Sequence, residues 1–497
     1  MPGNLQYQFD YSNTGKTGRR KSIQKRILIL GDFSGQNPDK PELASRKPYT
    51  VDIDTLDAVL RHIAPQLKLS LGDGNEDILI EFTELDDFHP DALYKRLTVF
   101  KTLRNMRSRL ENPSTYPAAA EELKRGMGET STEAAKSQPG QAANGNNDLL
   151  DRLLGGHSQI AEPRTSLDAD KIQSLIQQIV APHLNKGVDM GQQKQLLSAI
   201  DDSVNLLMRT ILHHPQFQAL EAAWRGIEWL IGNIEDSDEM KICLLDASLD
   251  ELIDDVKASE GQTNNIAIYR LMTETSLAIP GGIPWSLVVG QYTFGGNAEG
   301  LSLLEILGAI SAGCGGVFIA NASPNLLGCQ SIAANPNASD WQQPKADIAQ
   351  AWKRLRQSQA AQYISLALPR FMLRQPYGKK SNPTEGFRFE EMPSIPVHES
   401  YLWGNPSLIC AELIARAWLE GEDGEPGTLR ETNSLPYHIY DDGSGQTIKP
   451  CAEVYLNEKT ANAMLETGII PILSVRNRDI AIVPRLVSIA ETAIDIV

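Results

Sequence analysis

Two apolar stripes separated by one proline constrain this chain more than any other feature. Leu196, Ile200, Val204, Leu207 and Ile211 recur every three or four residues, so they share one face of a helix. Pro215 follows. Proline lacks an amide hydrogen and clashes with the preceding turn, so the helix must end or turn there. Phe217, Leu220, Trp224, Ile227 and Ile231 then form a second helical stripe. Side chains this large need a sheet or another helix to cover them, and the plain reading is that they are core.

Helix is predicted over residues 168–235, and strands and helices alternate beyond it. KICLLDAS, WSLVVGQYTFG, GVFIANASP and YISLALPRF are short apolar runs of strand character. LDELIDDVKAS, EGLSLLEILGAISAGC and DIAQAWKRLRQ are helical between them. This alternation predicts an α/β fold: a mixed central sheet with flanking helices. From residue 437 onward YHIYDDGSGQTIKP, CAEVYLN and IIPILSVRNRDIAIV are rich in hairpin signals and predict an added antiparallel part.

The first 125 residues read as a smaller α/β part. Leu5, Tyr7, Phe9 and Tyr11 alternate with polar residues in strand fashion. Such an arm could add to the sheet edge of another subunit, or be a disordered terminus or local hairpin. RILILGDFSG is a short buried strand closed by glycines. It lacks the GxxxxGK[ST] pattern of a phosphate loop. Residues 51–64 are helical, with Asp52 or Asp54 as cap. LKLSL and DILIEFTEL pair around Gly72-Asp73-Gly74-Asn75. One capped amphipathic helix is predicted over DDFHPDALYKRLTVFKTLRNMRSRLE, with Leu93, Leu97, Phe100 and Leu103 on one face.

Residues 126–147 are mostly Gly, Ser, Ala, Gln and Asn, with almost no apolar side chain, which predicts a flexible linker. Three segments follow: 1–125, the linker 126–147, and 148–497. Just past the linker, Leu149, Leu150, Leu153 and Leu154 make a short apolar helical face. It suits docking in a partner's groove, or packing on its own domain.

Function classes are narrowed by charge and by missing motifs. The net charge is −17. Residues 1–125 hold 19 basic and 18 acidic residues, and the remainder 27 and 45, so the body is acidic and repels phosphate. Nucleic acid is excluded as a natural partner. No run of about 18 apolar residues predicts a membrane span, and the N-terminus is not a secretory signal. Five scattered cysteines suit a reducing cytoplasm.

No catalytic, metal or cofactor constellation is visible. His213 and His214 are adjacent and cannot share a helical face. HExxH and a GxSxG elbow are absent. Gly313 to Gly316 read as a helix stop with Cys314 buried. Glu390-Glu391 and Asp441-Asp442 read as solvated pairs. Arg354, Arg356, Arg370 and Arg374 form a basic cluster in an acidic body. They pair with carboxylates across a subunit boundary or within the domain.

Several phrases carry a resemblance. HHPQFQALEAAWRGIEWLI, VGQYTFG, GGVFIANASPNLLG, AWKRLRQSQAAQYISLALPRFMLRQPYG, EGFRFEE, YLWGNPS and ETGIIPILSVRNRDIA resemble, in order, the large sheath subunit of the bacterial type VI secretion system (TssC, ImpC- or VipB-like). ILILGDFSG, RKPYTVDIDTLDAVL and LDDFHPDALYKRL resemble the small sheath subunit (TssB, ImpB- or VipA-like). The chain thus resembles the two subunits joined head to tail, the small part docked through the linker.

The resemblance implies a mechanical, non-catalytic component of a contractile sheath in the cytoplasm of a Gram-negative bacterium. The resemblance implies other sheath subunits as partners, and an inner tube and a baseplate beyond them. LLDRLL resembles the helix recognised by a ClpV-type AAA+ unfoldase. The resemblance also leads one to expect interlocking strands beyond Pro484, where this sequence drifts from the family pattern. Set against that pattern, the large-subunit segment is C-terminally truncated and lacks the usual extension. The chain is then a sheath component with another source of interlocking strand, for which the arm LQYQFDY is the candidate, or alternatively a cap, baseplate initiator or assembly regulator that binds sheath subunits without polymerising.

Overall fold

The computed structural model describes residues 24–70, 77–123, 192–234, 237, 239–274, 282–420 and 430–496. The arm at Leu5, Tyr7, Phe9 and Tyr11, the linker, the leucine face at 149–154 and the turn at 72–75 lie outside them. The chain folds into two compact units. One comprises Met1–Pro65, Ala219–Gln375 and Ser394–Val497, and the other Gln66–Gln218 and Pro376–Pro393. Both are built from the N-terminal and C-terminal segments together.

The first unit is a layered α/β structure on a seven-stranded sheet. Its strands are β1 (Lys25–Gly31), β2 (Tyr49–Val51), β5 (Met240–Asp246), β6 (Leu287–Phe294), β7 (Val317–Ala322), β8 (Ile364–Leu368) and β14 (Ile469–Pro471). They run in the order β14-β8-β7-β6-β1-β5-β2. All neighbours are parallel except β2, which runs antiparallel to β5 at one edge.

β1 of the N-terminal segment therefore lies in the middle of the sheet. It pairs with β5 from Lys25↔Met240 to Gly31↔Asp246, and with β6 from Ile27↔Leu287 to Leu30↔Gly290. A parallel strand covered on both faces needs a continuous apolar run, and Ile27 to Leu30 supply it, each fully buried.

Helices flank this sheet. They are α1 (Leu56–Ile63), α6 (Leu249–Ala258), α7 (Ala267–Glu274), α8 (Ala298–Gly313), α9 (Ala346–Arg356), α10 (Pro406–Glu420) and α11 (Glu458–Glu466). One core joins Leu28 and Leu30 to Leu304, Leu307, Phe318, Trp352 and Leu366. α8 stops at the glycines as predicted, with Cys314 buried and Gly315 at φ +86.

The rest of this unit is small antiparallel pieces. β9 (Phe371–Met372) pairs with β10 (Trp403–Gly404). β11 (Glu431–Thr432), β15 (Leu473–Ser474) and β16 (Ala481–Ile482) form a three-stranded sheet. β12 (His438–Asp441) and β13 (Gln446–Lys449) form a hairpin. The predicted antiparallel part needs correction in two places. IIP enters the main sheet as β14, parallel to β8. CAEVYLN forms no strand, because its backbone caps other elements: Cys451 O accepts Met372 N, and Ala452 N donates to Ser474 Oγ.

The second unit holds the hairpin β3 (Gln66–Leu69) and β4 (Ile78–Glu81), then α2 (Pro90–Arg96), α3 (Thr98–Glu111) and α4 (Gln192–Leu212). The helix α5 (Pro215–Asn233) begins in this unit, and the division falls after Gln218. Both predicted stripes are buried on α4 and α5, with the break at Pro215.

The single helix predicted after β4 is three pieces: a 3-10 turn at Leu85–Phe88, α2 and α3. Pro90 starts α2 at a position where its missing N–H costs nothing. Leu97 adopts an extended conformation, φ −70 and ψ 132, between α2 and α3, and its side chain stays buried.

Candidate functional site

The site most open to function is the joint between the two segments, and each unit contains one. In the first unit the joint begins with backbone pairing. Beyond the ladder, Lys25 N donates to Glu239 O at 2.7 Å, Ser286 N to Arg26 O at 2.8 Å and Ala247 N to Gly31 O at 2.8 Å. The Arg26 guanidinium lies over the Trp285 ring at 3.7 Å and donates to Ile283 O.

The loop after β1 then closes on β5. Its glycines look like a phosphate cradle, but its amides already hold an internal anion. Phe33 N and Ser34 N donate to Asp246 Oδ1 at 2.7 and 3.1 Å. Trp224 Nε1 donates to Phe33 O at 2.9 Å, and the two rings meet edge to face.

Two cations complete the cluster. Lys40 Nζ sits 2.8 Å from Glu251, 3.4 Å from Asp246 and 3.6 Å from Asp32. Arg46 donates to Asp246 O at 2.7 Å and grips the Glu251 carboxylate with two nitrogens. Burial would raise the Glu251 carboxyl, but hydrogen bonds from Arg46, Lys40 and Ser248 N outweigh it and hold it at about 2. Asp32 moves the other way: burial raises its carboxyl, and the charges of Asp246 and Glu251 add to that against Lys40. Asp246, Lys40, Arg46 and Glu251 were not singled out from sequence. The available signal was an aspartate closing an apolar strand and an arginine in RKPYT.

The joint in the second unit is made by side chains. Asp91 accepts from Glu385 N and Gly386 N, each at 2.8 Å. Tyr94 stacks on Phe387 at 4.4 Å. His89 meets Tyr377 edge-on at 4.9 Å. Phe82 and Phe88 stack at 4.1 Å and both rest on Phe217. α3 packs on α4, with Arg107 2.8 Å from Asp201 and Gln193 donating to Leu110 O. Glu391 is buried here, which corrects its reading as half of a solvated pair: Tyr377 N donates to its carboxylate at 2.7 Å.

Three of the four candidate arginines are engaged within the first unit. Arg374 bonds the fully buried carboxylate of Glu221 at 2.9 Å. Arg356 donates to Ile489 O at 2.8 Å. Arg370 bonds Glu453 and Glu399. It lines a cavity of about 270 Å³ at the C-terminal ends of β6, β7 and β8, with Thr293, Asn321, Glu399 and Glu453. Arg354 is exposed.

Among the described residues no group of three or more His, Cys, Asp and Glu could hold a metal ion. No helix among them is long and apolar enough to cross a membrane.

Comparison with known proteins places both segments. Residues 194–489 match the VipB family, the EvpB/VC_A0108 tail sheath N-terminal domain. Residues 4–138 match the type VI secretion system VipA family. The chain is similar to the type VI secretion system sheath protein TssC1 of Pseudomonas aeruginosa, at 32% identity over 298 residues, 58% of this chain and 59% of the relative. It is also similar to sheath protein TssB1 of the same organism, at 30% identity over 108 residues, 20% of this chain and 62% of the relative. The chain thus spans about three fifths of the length of each curated relative it matches. This chain belongs to the type VI secretion tail sheath family and carries a VipA-type segment ahead of a VipB-type segment in one polypeptide.

Proposed function

We propose that the chain is a self-paired subunit of a contractile sheath, and that it works mechanically rather than by catalysis. The observation that carries this reading is β1. A strand of the VipA-type segment is hydrogen-bonded on both sides within the sheet of the VipB-type segment. Joining the segments fixes their ratio at one to one and raises the effective concentration of each for the other. Residues 126–147 act as the tether, and contraction is a switch between two subunit packings.

The partners are other sheath subunits, then an inner tube, a baseplate and a ClpV-type unfoldase, in the cytoplasm of a Gram-negative cell. The arm at Leu5, Tyr7, Phe9 and Tyr11 pairs with a neighbouring subunit, and deleting residues 1–12 abolishes assembly. Leu149, Leu150, Leu153 and Leu154 face the unfoldase, so Leu150→Asp with Leu153→Asp weakens its binding. Exposed Arg354 is the remaining candidate for an ion pair between subunits.

Electron microscopy of the purified protein, alone and with separate sheath subunits, tests the reading. Long tubes from the protein alone are expected. Particles found only at the ends of tubes made by the separate subunits would replace it with a cap or initiator.

A further inference from the structure

The β12–β13 hairpin is held by a relay of charged and polar groups whose hydrogen-bond directions are fixed while Lys449 is charged. Lys449, at the end of β13, places Nζ 2.7 Å from His398 Nδ1. The other ring nitrogen of His398, Nε2, lies 3.1 Å from Glu453 Oε1. Glu453 is 3% exposed and also accepts from Arg370 N, at 2.9 Å, and from the Arg370 guanidinium. Its backbone sits at φ +30, a conformation that side chains other than glycine adopt at a cost. Strained residues persist where the surroundings over-determine them, and here four nitrogen atoms of Arg370 and His398 converge on one carboxylate.

An ammonium group has donors and no acceptor. Charged Lys449 therefore requires His398 Nδ1 to be an acceptor, which places the ring proton on Nε2, toward Glu453. The order is Lys449 to His398 to Glu453, with Arg370 closing from the other side. Glu399 lies 3.8 Å from His398 Nε2 and also bonds Arg370. The Trp403 ring packs against His398 at 5.0 Å and lies under both Lys449 and Arg370, and the Tyr401 ring lies 6.0 Å from Lys449. Burial holds Lys449 down at about 8 against the pull of Glu453 and Glu399. Burial would likewise raise Glu453, but hydrogen bonds from His398 and Arg370 hold it below the usual carboxylate range.

We propose that His398 is a proton-operated clasp on the β12–β13 hairpin. A proton on Nδ1 removes the only acceptor this ring offers Lys449 and sets imidazolium against ammonium. The imidazolium keeps its bond to Glu453, so Lys449 is the group expelled. The hairpin then loses its Lys449 anchor, while the contact of Tyr401 Oη with His438 Nδ1 at 2.9 Å remains. The hairpin carries an exposed apolar residue, Ile439, opposite Ile448, so the clasp sets how firmly that pair is presented.

Hydrogen exchange of the intact chain, read by mass spectrometry and corrected for intrinsic rates, tests this. When the pH is stepped down from about 7.5 to about 5.5, protection of residues 438–449 falls about tenfold or more, the scale of one lost charge-assisted hydrogen bond. Protection of residues 25–31 stays unchanged. His398→Gln cannot take up the proton and flattens the step. Lys449→Met, which removes the opposing cation, flattens it too and covers the case in which His398→Gln fails to fold. No step in the parent protein overturns the proposal. So does a step that survives in Lys449→Met, or one that disappears only when His438 is replaced.

Discussion

The same two segments meet twice, and they meet by different chemistry. In the first unit the VipA-type segment contributes backbone: β1 is a rung in the middle of a parallel sheet, with side chains buried on both faces. In the second unit it contributes side chains: a carboxylate capping two amides, stacked rings, and one ion pair between helices. A central strand is satisfied only when both neighbours are in register, so the first joint is close to all-or-none. Contacts between helices and a loop can be lost one at a time. The first joint holds the segments together, and the second has room to yield locally.

The sharpest break is Ile29→Asp. It sets an unpaired carboxylate in the sheet centre and costs about 4 kcal/mol or more. Urea unfolding loses its cooperative transition. Asp246→Ala is next, at about 2–4 kcal/mol, because Phe33 N, Ser34 N and Lys40 lose one shared acceptor. The urea midpoint reads it. Asp91→Ala removes the acceptor of two amides in the second unit and costs about 1–3 kcal/mol. Its mark is faster hydrogen exchange confined to residues 385–391. If Asp91→Ala instead lowers the global midpoint as far as Asp246→Ala, the contrast between the joints fails.

Acid reads the first joint more finely. Glu251 titrates at about 2 in the folded chain against an ordinary 4.5. Its contribution is therefore full above 4.5 and is lost as pH falls toward 2. Asp32, whose carboxyl is raised, works in the opposite sense, since its ionisation disfavours the folded state. Glu251→Gln should flatten the fall in thermal midpoint between about pH 5 and about pH 3. The smallest effect is Arg107→Ala. Its partly exposed pair with Asp201 is worth under about 1 kcal/mol, and added salt shrinks it further.

Local signals were legible in the sequence where local physics decides. The stripes on α4 and α5, the proline break, the glycine stop after α8 and the strand at Ile27 to Leu30 all follow from spacing and turn chemistry. The seat of β1 does not, because a strand's neighbours are chosen by pairing over hundreds of residues, and nothing in ILIL names β5 or β6. The break at Leu97 was hidden because Leu97 continues the helical spacing of Leu93, Phe100 and Leu103. Glu391 sits in a polar stretch, and its burial depends on Tyr377 folding back over it. Arg370 and Arg374 were visible as charges, but their partners Glu453 and Glu221 lie 83 and 153 residues away.

The place of β1 also sets an order of events in time. β5 and β6 follow one another in the chain, yet they do not touch in the sheet, because β1 lies between them. A ribosome makes β1 first, then about 210 further residues before β5 emerges. At about 5–20 residues per second, the apolar strand waits about 10 to 40 s for its first neighbour. When β5 and β6 appear, the strand that must divide them is already tethered to the same nascent chain. Separately translated sheath partners would have to find each other by diffusion at that step.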